Sequence, residues 1–268
     1  MHDFQSLIHD LENSGVAPDS VVIIHSSMKR IGRVDGGADT VIDALMEYFK
    51  DGLLVMPALT YTLFHDYAPD APGCIKCLAD YPAGHCLAKD FYGKTPEFHV
   101  NSTPVCIGLL PEIFRKRPQV VRSLNPSHSV AAYGKRSEEF IAGHEKSVTP
   151  CGRSSPWYKL YEYGGKIIHL GSPLTSTTFM HGVCEWLNPD DLTPLIPNPV
   201  KVFDRFENPV VTPALRITAG SANVFDRLAG APENAAEMRN FKFADTVAAV
   251  LDCRKLLQYF EKNKNLLN

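Results

Sequence analysis

Val21-Val22-Ile23-Ile24-His25-Ser26-Ser27-Met28 opens with four β-branched residues in a row, the pattern of a strand buried on both faces. Gly36-Gly37-Ala38-Asp39-Thr40 follows, and then Val41, Ala44, Leu45, Tyr48 and Phe49 recur at helical spacing. Asp51-Gly52 turns the chain, and Leu53-Leu54-Val55-Met56 forms a second apolar run that stops at Pro57. Strand, glycine loop, helix and strand within about 35 residues make a βαβ unit, so a parallel sheet is expected here.

Working outward, residues 4–13 read as an amphipathic helix with Phe4, Leu7, Ile8 and Leu11 on one side. Helices are expected at 104–115, 137–144 and 155–160, the last opened by Ser155-Pro156. Residues 122–134 run from a polar turn into a strand, and Lys166-Ile167-Ile168-His169-Leu170-Gly171 is another buried strand. Strands at 201–206 and 214–218 and a helix over 244–261 complete the chain. The expected class is α/β, a mostly parallel central sheet flanked by helices, with an extra C-terminal strand and helix part. The chain reads as one domain over 1–268. Residues 61–104 carry little pattern, and so long a stretch in a compact domain suggests a substrate-side loop or lid.

The composition narrows the function. The chain has 268 residues, 44% hydrophobic and 21% charged, as in an ordinary globular protein. A net charge of −3 gives no reason to expect nucleic acid or an anionic membrane as partner, and is compatible with a cationic small molecule. No apolar run approaches a membrane span, and Met1-His2-Asp3-Phe4 lacks a secretion signal. Seven scattered cysteines, an odd count, point to free thiols and a cytoplasmic location.

After the strand at 166–170 comes Ser176-Thr177-Thr178-Phe179-Met180-His181-Gly182-Val183-Cys184-Glu185. If this segment is helical from Thr178, His181 and Glu185 lie one turn apart on one face. A carboxylate there can fix the imidazole tautomer and raise its basicity, although the same spacing also suits a structural histidine beside an unrelated acid. Gly32 to Gly37, between a strand end and a helix start, can cradle a phosphate with backbone N–H groups or simply turn the chain. It is neither GxGxxG nor a P-loop, which weighs against NAD and ATP. Cys74, Cys77, His85 and Cys86 invite a zinc site or are plain thiols; no second CxxC completes a standard set. Cys184, three residues from His181, is a rival nucleophile, and no GxSxG elbow supports a serine hydrolase.

Together, three stretches resemble the aminoglycoside 3-N-acetyltransferases, an acetyl-CoA-dependent group distinct from the GNAT acetyltransferases. They are His25-Ser26-Ser27-Met28 with Gly32 and residues 34–41; Arg122-Ser123 with Pro126, His128-Ser129-Val130 and Gly134; and Leu170-Gly171 with Thr178, His181 and Glu185. Residues 143–145 and 155–160 add weaker matches. The resemblance implies a general base at His181, oriented by Glu185, that removes a proton from an acceptor amine in direct acetyl transfer. It implies Thr178 and a backbone N–H as oxyanion donors. Ser26, Ser27, Met28, Arg33, Gly36 and Gly37 become the positions for the CoA pyrophosphate and pantetheine. Asp66, Asp70 and Glu185 would attract a polycationic amino sugar, such as a 2-deoxystreptamine aminoglycoside. No metal is expected, and the assembly is a monomer or homodimer. Asn125 stands where the family usually has histidine, and residues 61–100 match poorly, so the acceptor is the open question. Loss of turnover with retained CoA or sugar binding, or a zinc hydrolase built on the 74–86 cluster, are the alternatives.

Overall fold

The run beginning at Val21 is the central strand, β1 (Val21–Ser26), of a seven-stranded sheet. The computed structural model describes residues 1–60, 63, 96–192, 195, 198, 200–216, 222–231 and 233–267. Strand β2 (Leu53–Pro57) and β6 (Lys166–Leu170) flank β1, both parallel to it, with Ile23 opposite Val55 and His25 opposite His169. Outside this parallel core the strands run antiparallel. On one side lie β5 (Val130–Gly134) and then β4 (Val121–Arg122); on the other lie β10 (Thr246–Asp252) and β9 (Arg239–Phe243). The order is β4-β5-β2-β1-β6-β10-β9. A separate small sheet joins β3 (Glu97–His99), β7 (Lys201–Phe203) and β8 (Pro209–Val210).

Because strand side chains alternate, each central strand feeds two cores. Val22, Ile24, Leu54 and Met56 pack under α1 (Phe4–Glu12) and α3 (Gly37–Tyr48), with α4 (Leu109–Phe114) beside them. Ile23, Leu53, Val55 and Ile167 face α6 (Pro156–Glu162), α7 (Phe179–Leu187) and α9 (Cys253–Lys262), joined by Phe140 of α5 (Ser137–Ile141). The short α2 (Met28–Ile31) links β1 toward α3, and α8 (Ala222–Ala229) lies near the start of α7. The result is the expected α/β architecture, with the parallel pairing of the seven-stranded sheet confined to its three central strands and a further parallel pair, β3 with β7, in the small sheet.

Several expectations change at the ends of elements. Within 104–115 only Leu109–Phe114 is helical, because Gly108, at φ 125°, breaks the pattern. The strand expected at 201–206 stops at Phe203, where Asp204 accepts backbone N–H bonds from Phe206 and Asn208 and turns the chain. Residues 214–216 form no strand, and 217–218 lie outside the described residues. The helix expected over 244–261 begins only at Cys253; the segment before it is β10, paired along β6 and β9.

Candidate active site

Three segments meet at one edge of the sheet. Strands β1 and β6 end side by side, with Ser26 opposite Leu170 and the Ser27 N–H donating to Leu170 O at 2.9 Å. Since β5 runs antiparallel to β2, its first residue, Val130, lies opposite Pro57. The polar turn at 123–129 therefore sits at the carboxyl end of β2, beside the ends of β1 and β6. Ligands of open α/β sheets bind at this edge, outside the carboxyl ends of the parallel strands.

From β6 the chain passes Gly171 and a 3-10 turn, Leu174–Ser176, into α7. The Thr177 hydroxyl donates to Leu174 O at 2.6 Å, so its oxygen accepts from His169 Nε2 at 3.0 Å. His169 Nδ1 then accepts from the Ser172 hydroxyl at 2.9 Å. These bonds pin the entrance of α7, and with it Thr178 and His181, to the end of β6. The His181 ring stands edge-on between His128, with centroids 5.2 Å apart, and Phe225, at 4.8 Å. Burial lowers its pKa to about 4, so the imidazole is neutral at physiological pH.

Glu185 lies on α7 one turn beyond His181, as the spacing required, but its carboxylate turns elsewhere. It accepts from the Cys151 N–H, 3.2 Å from Oε2, and from Thr149. Among the described residues there is no hydrogen bond between Glu185 and His181. A carboxylate only 6% exposed takes the donors available to it. Here these come from the 149–151 strip, fastened in turn by Trp186 Nε1 donating to Cys151 O at 2.9 Å. Glu185, expected to orient the imidazole and to attract a polycationic ligand, is thus buried and bonded to main chain rather than to His181. Burial raises its pKa to about 7, leaving it poised between charged and neutral forms.

The β1–α3 connection fits a phosphate- and amide-bearing ligand such as acetyl-CoA in part. Ser26 Oγ is buried with no hydrogen-bond partner. Gly36 and Gly37 have φ of 73° and 68°, a conformation that favours glycine, and a side chain at Gly37 would meet open space. No side chain caps the first turn of α3; the Gly37 N–H donates to Val34 O at 3.0 Å, and the N–H groups that follow it are left for an anion. Ser27 stands at the start of α2 and Arg33 is exposed. Met28, half-buried, packs in part against the core under α1 and α3.

Two imidazoles escaped the sequence reading. His25, one strand over from His169, stacks on it at 5.0 Å and 11°, and its buried Nε2 has no hydrogen-bond partner. The signal was a histidine closing a β-branched run, on the same face as Ile23. His128 was noted only within a motif, and its contact with His181 joins residues far apart in the chain. Cys184 is buried among apolar side chains, an environment for packing rather than for a reactive thiolate. Asp66, Asp70, Cys74, Cys77, His85 and Cys86 lie outside the described residues. Among the described ones, no group of three or more His, Cys, Asp or Glu could hold a metal, and no helix is long and apolar enough to cross a membrane.

Comparison with known proteins follows the same outline. The family model for aminoglycoside 3-N-acetyltransferase matches residues 23–263. The SPbeta prophage-derived aminoglycoside N(3')-acetyltransferase-like protein YokD of Bacillus subtilis is 31% identical over 180 residues. That match covers 66% of this chain and 62% of the relative, less than two thirds of its length. The crystal structure of YokD superposes with a TM-score of 0.79 at 24% identity, covering 98% of this chain and 93% of that one. A binary complex of AAC-IIIb with CoASH gives a TM-score of 0.73 at 23% identity, covering 98% and 96%. At these identities the superpositions establish the fold.

Proposed function

This chain belongs to the aminoglycoside 3-N-acetyltransferase family, and from that premise we propose that it transfers an acetyl group from acetyl-CoA directly to an amine of an aminoglycoside or related amino sugar, with His181 as general base. The observation that carries this reading is a neutral, half-buried His181 on the helix that follows β6, near the β1–α3 loop suited to the cosubstrate. Acetyl-CoA, when bound, supplies the thioester. Ser26, Ser27, Gly36 and Gly37 would hold it, with Arg33 near the phosphates.

As the acceptor nitrogen bonds to the acetyl carbon and the C–S bond breaks, the proton lost by nitrogen passes to His181 and then to the departing thiolate. His181 ends the cycle neutral. A low pKa keeps the imidazole unprotonated at neutral pH and makes its imidazolium a strong acid toward the thiolate. Glu185, near 7 and one turn away, ionises more readily when His181 is charged, which stabilises the imidazolium without a direct bond. Thr178, at the start of α7, and a neighbouring backbone N–H would donate to the oxyanion.

The test is acetyl-CoA turnover against a panel of 2-deoxystreptamine aminoglycosides, with the acetylated product detected by mass so that the protein's own thiols do not interfere. His181→Asn should lower kcat by roughly 10²- to 10⁴-fold with acetyl-CoA binding retained. Unchanged kcat in that variant removes His181 from the role of base; no product from any amine removes the activity itself.

A further inference from the structure

We propose that His128 is a second binding residue for the acceptor amine, its Nε2 receiving one N–H of the nitrogen that His181 deprotonates, and that Asn125 sets this state of His128 through Ser127. The inference rests on the reading of His181 as base and extends it.

Asn125 is a buried side chain. Its Oδ1 accepts the backbone N–H of Ser127 at 3.1 Å and of His128 at 2.8 Å. Two backbone donors aimed at one atom identify that atom as the oxygen of the amide. The Ser127 hydroxyl lies 3.0 Å from the same Oδ1 and 3.0 Å from His128 Nδ1. It has one proton to give. Directed at Nδ1, that proton would leave two oxygen lone pairs facing each other at 3.0 Å. Directed at Asn125, it satisfies the first contact, and the second is satisfied when Nδ1–H donates to Ser127 Oγ. Both contacts hold a proton in this arrangement alone. The neutral imidazole therefore carries its proton on Nδ1 and a lone pair on Nε2.

The ring that carries this lone pair lies against His181. Trp157 Nε1 donates to His128 O at 2.9 Å, so the main chain is held by Asn125 on one side and by a buried indole on the other. The ring meets His181 at 87°, and among the described residues its Nε2 makes no hydrogen bond. Burial and the nearby imidazoles of His181 and His144 hold His128 well below the usual histidine range, so Nε2 stays an acceptor at neutral pH. An acceptor suits the amine, whose N–H groups outnumber the single proton His181 removes, and does not suit an oxyanion. With one N–H given to His181 and another to His128, the nitrogen cannot spin about its C–N bond, and its lone pair is aimed.

The tautomer can be read without turnover, from long-range ¹H–¹⁵N spectra of ¹⁵N-labelled protein, with His128 assigned by its loss in His128→Gln. The expected result is the Nδ1–H form in the wild type, mixed tautomers in Ser127→Ala, and the wild-type form kept in Asn125→Asp, whose carboxylate preserves the acceptor. An Nε2–H wild-type tautomer overturns the proposal whatever His181 does. The second arm is kinetic, using the aminoglycoside best acetylated by the wild type. His128→Phe keeps the ring against His181 but removes the acceptor, and should raise KM for the amine by about tenfold with KM for acetyl-CoA unchanged. An unmoved amine KM in a variant with wild-type circular dichroism overturns the role of His128. Activity surviving in His181→Asn would overturn the base assignment instead.

Discussion

At His144 both ring nitrogens are committed. Nε2 donates to Pro150 O at 2.8 Å, so Nδ1 accepts from the Ser123 hydroxyl at 2.8 Å, and Val130 N–H donates to that same oxygen at 3.0 Å. The residue ties the segment after α5 to both the 123–129 turn and the approach to α6. Replacing His144 with Phe leaves a buried carbonyl and a buried hydroxyl short of a partner, and should cost about 2–4 kcal/mol in urea unfolding. His144→Gln, which can still donate to Pro150 O, should cost less; equal costs would mean that the ring's volume matters rather than its bonds. The sequence marked His144 only as a weak motif member. Nothing local distinguishes a histidine that will be locked from one that will be exposed, since its partners lie 21 and 6 residues away.

Single elements were legible where their pattern was local. The β6 bounds and the two strands of the first βαβ unit followed from continuous apolar runs. The C-terminal region did not. Val247-Ala248-Ala249-Val250-Leu251 is apolar without a decisive period, and the turn at Ala244-Asp245 lacks glycine, with Ala244 itself taking φ 50°. It becomes a strand because β6 offers an open edge, and long-range pairing overrides helix propensity. Asp252 ends that strand and starts α9, accepting the Lys255 N–H at 2.9 Å while pairing with Lys166 at the start of β6. Asp252→Ala should therefore destabilise by about 1–2 kcal/mol, and Asp252→Asn, which keeps the cap, by less. Equal thermal shifts for the two would assign the effect to the ion pair instead.

Across the molecule, five buried or half-buried imidazoles share one direction of shift. His144, His169 and His181 are each lowered to about 4, and His25 and His128 lie well below the usual range, all mainly by burial. Between pH 6.5 and 4 the unfolded chain binds protons at these sites that the folded chain refuses, so stability rises with pH through this window. Glu185, raised to about 7, acts in the opposite direction between 4.5 and 7, and the raised but partly exposed His99 does so from 6.5 upward. The five histidines dominate, and the urea midpoint should be lower at pH 5 than at pH 7 at constant ionic strength. A midpoint higher at pH 5 would show that these rings are wet in solution.

The sequence by itself determined the elements whose signals are contiguous: the βαβ unit, the glycine loop, and a helix carrying His181 and Glu185 on one face. It also held enough ordered motifs to resemble its family. Tertiary structure decided what those residues do to one another. The antiparallel entry of β5 brings His128 to His181, the end of β6 holds the start of α7, and the 149–151 strip draws Glu185 away from the imidazole. The physical reason is that periodicity records which face of an element is buried, whereas a buried polar atom's partner depends on which donors and acceptors the completed fold leaves within about 3 Å of it.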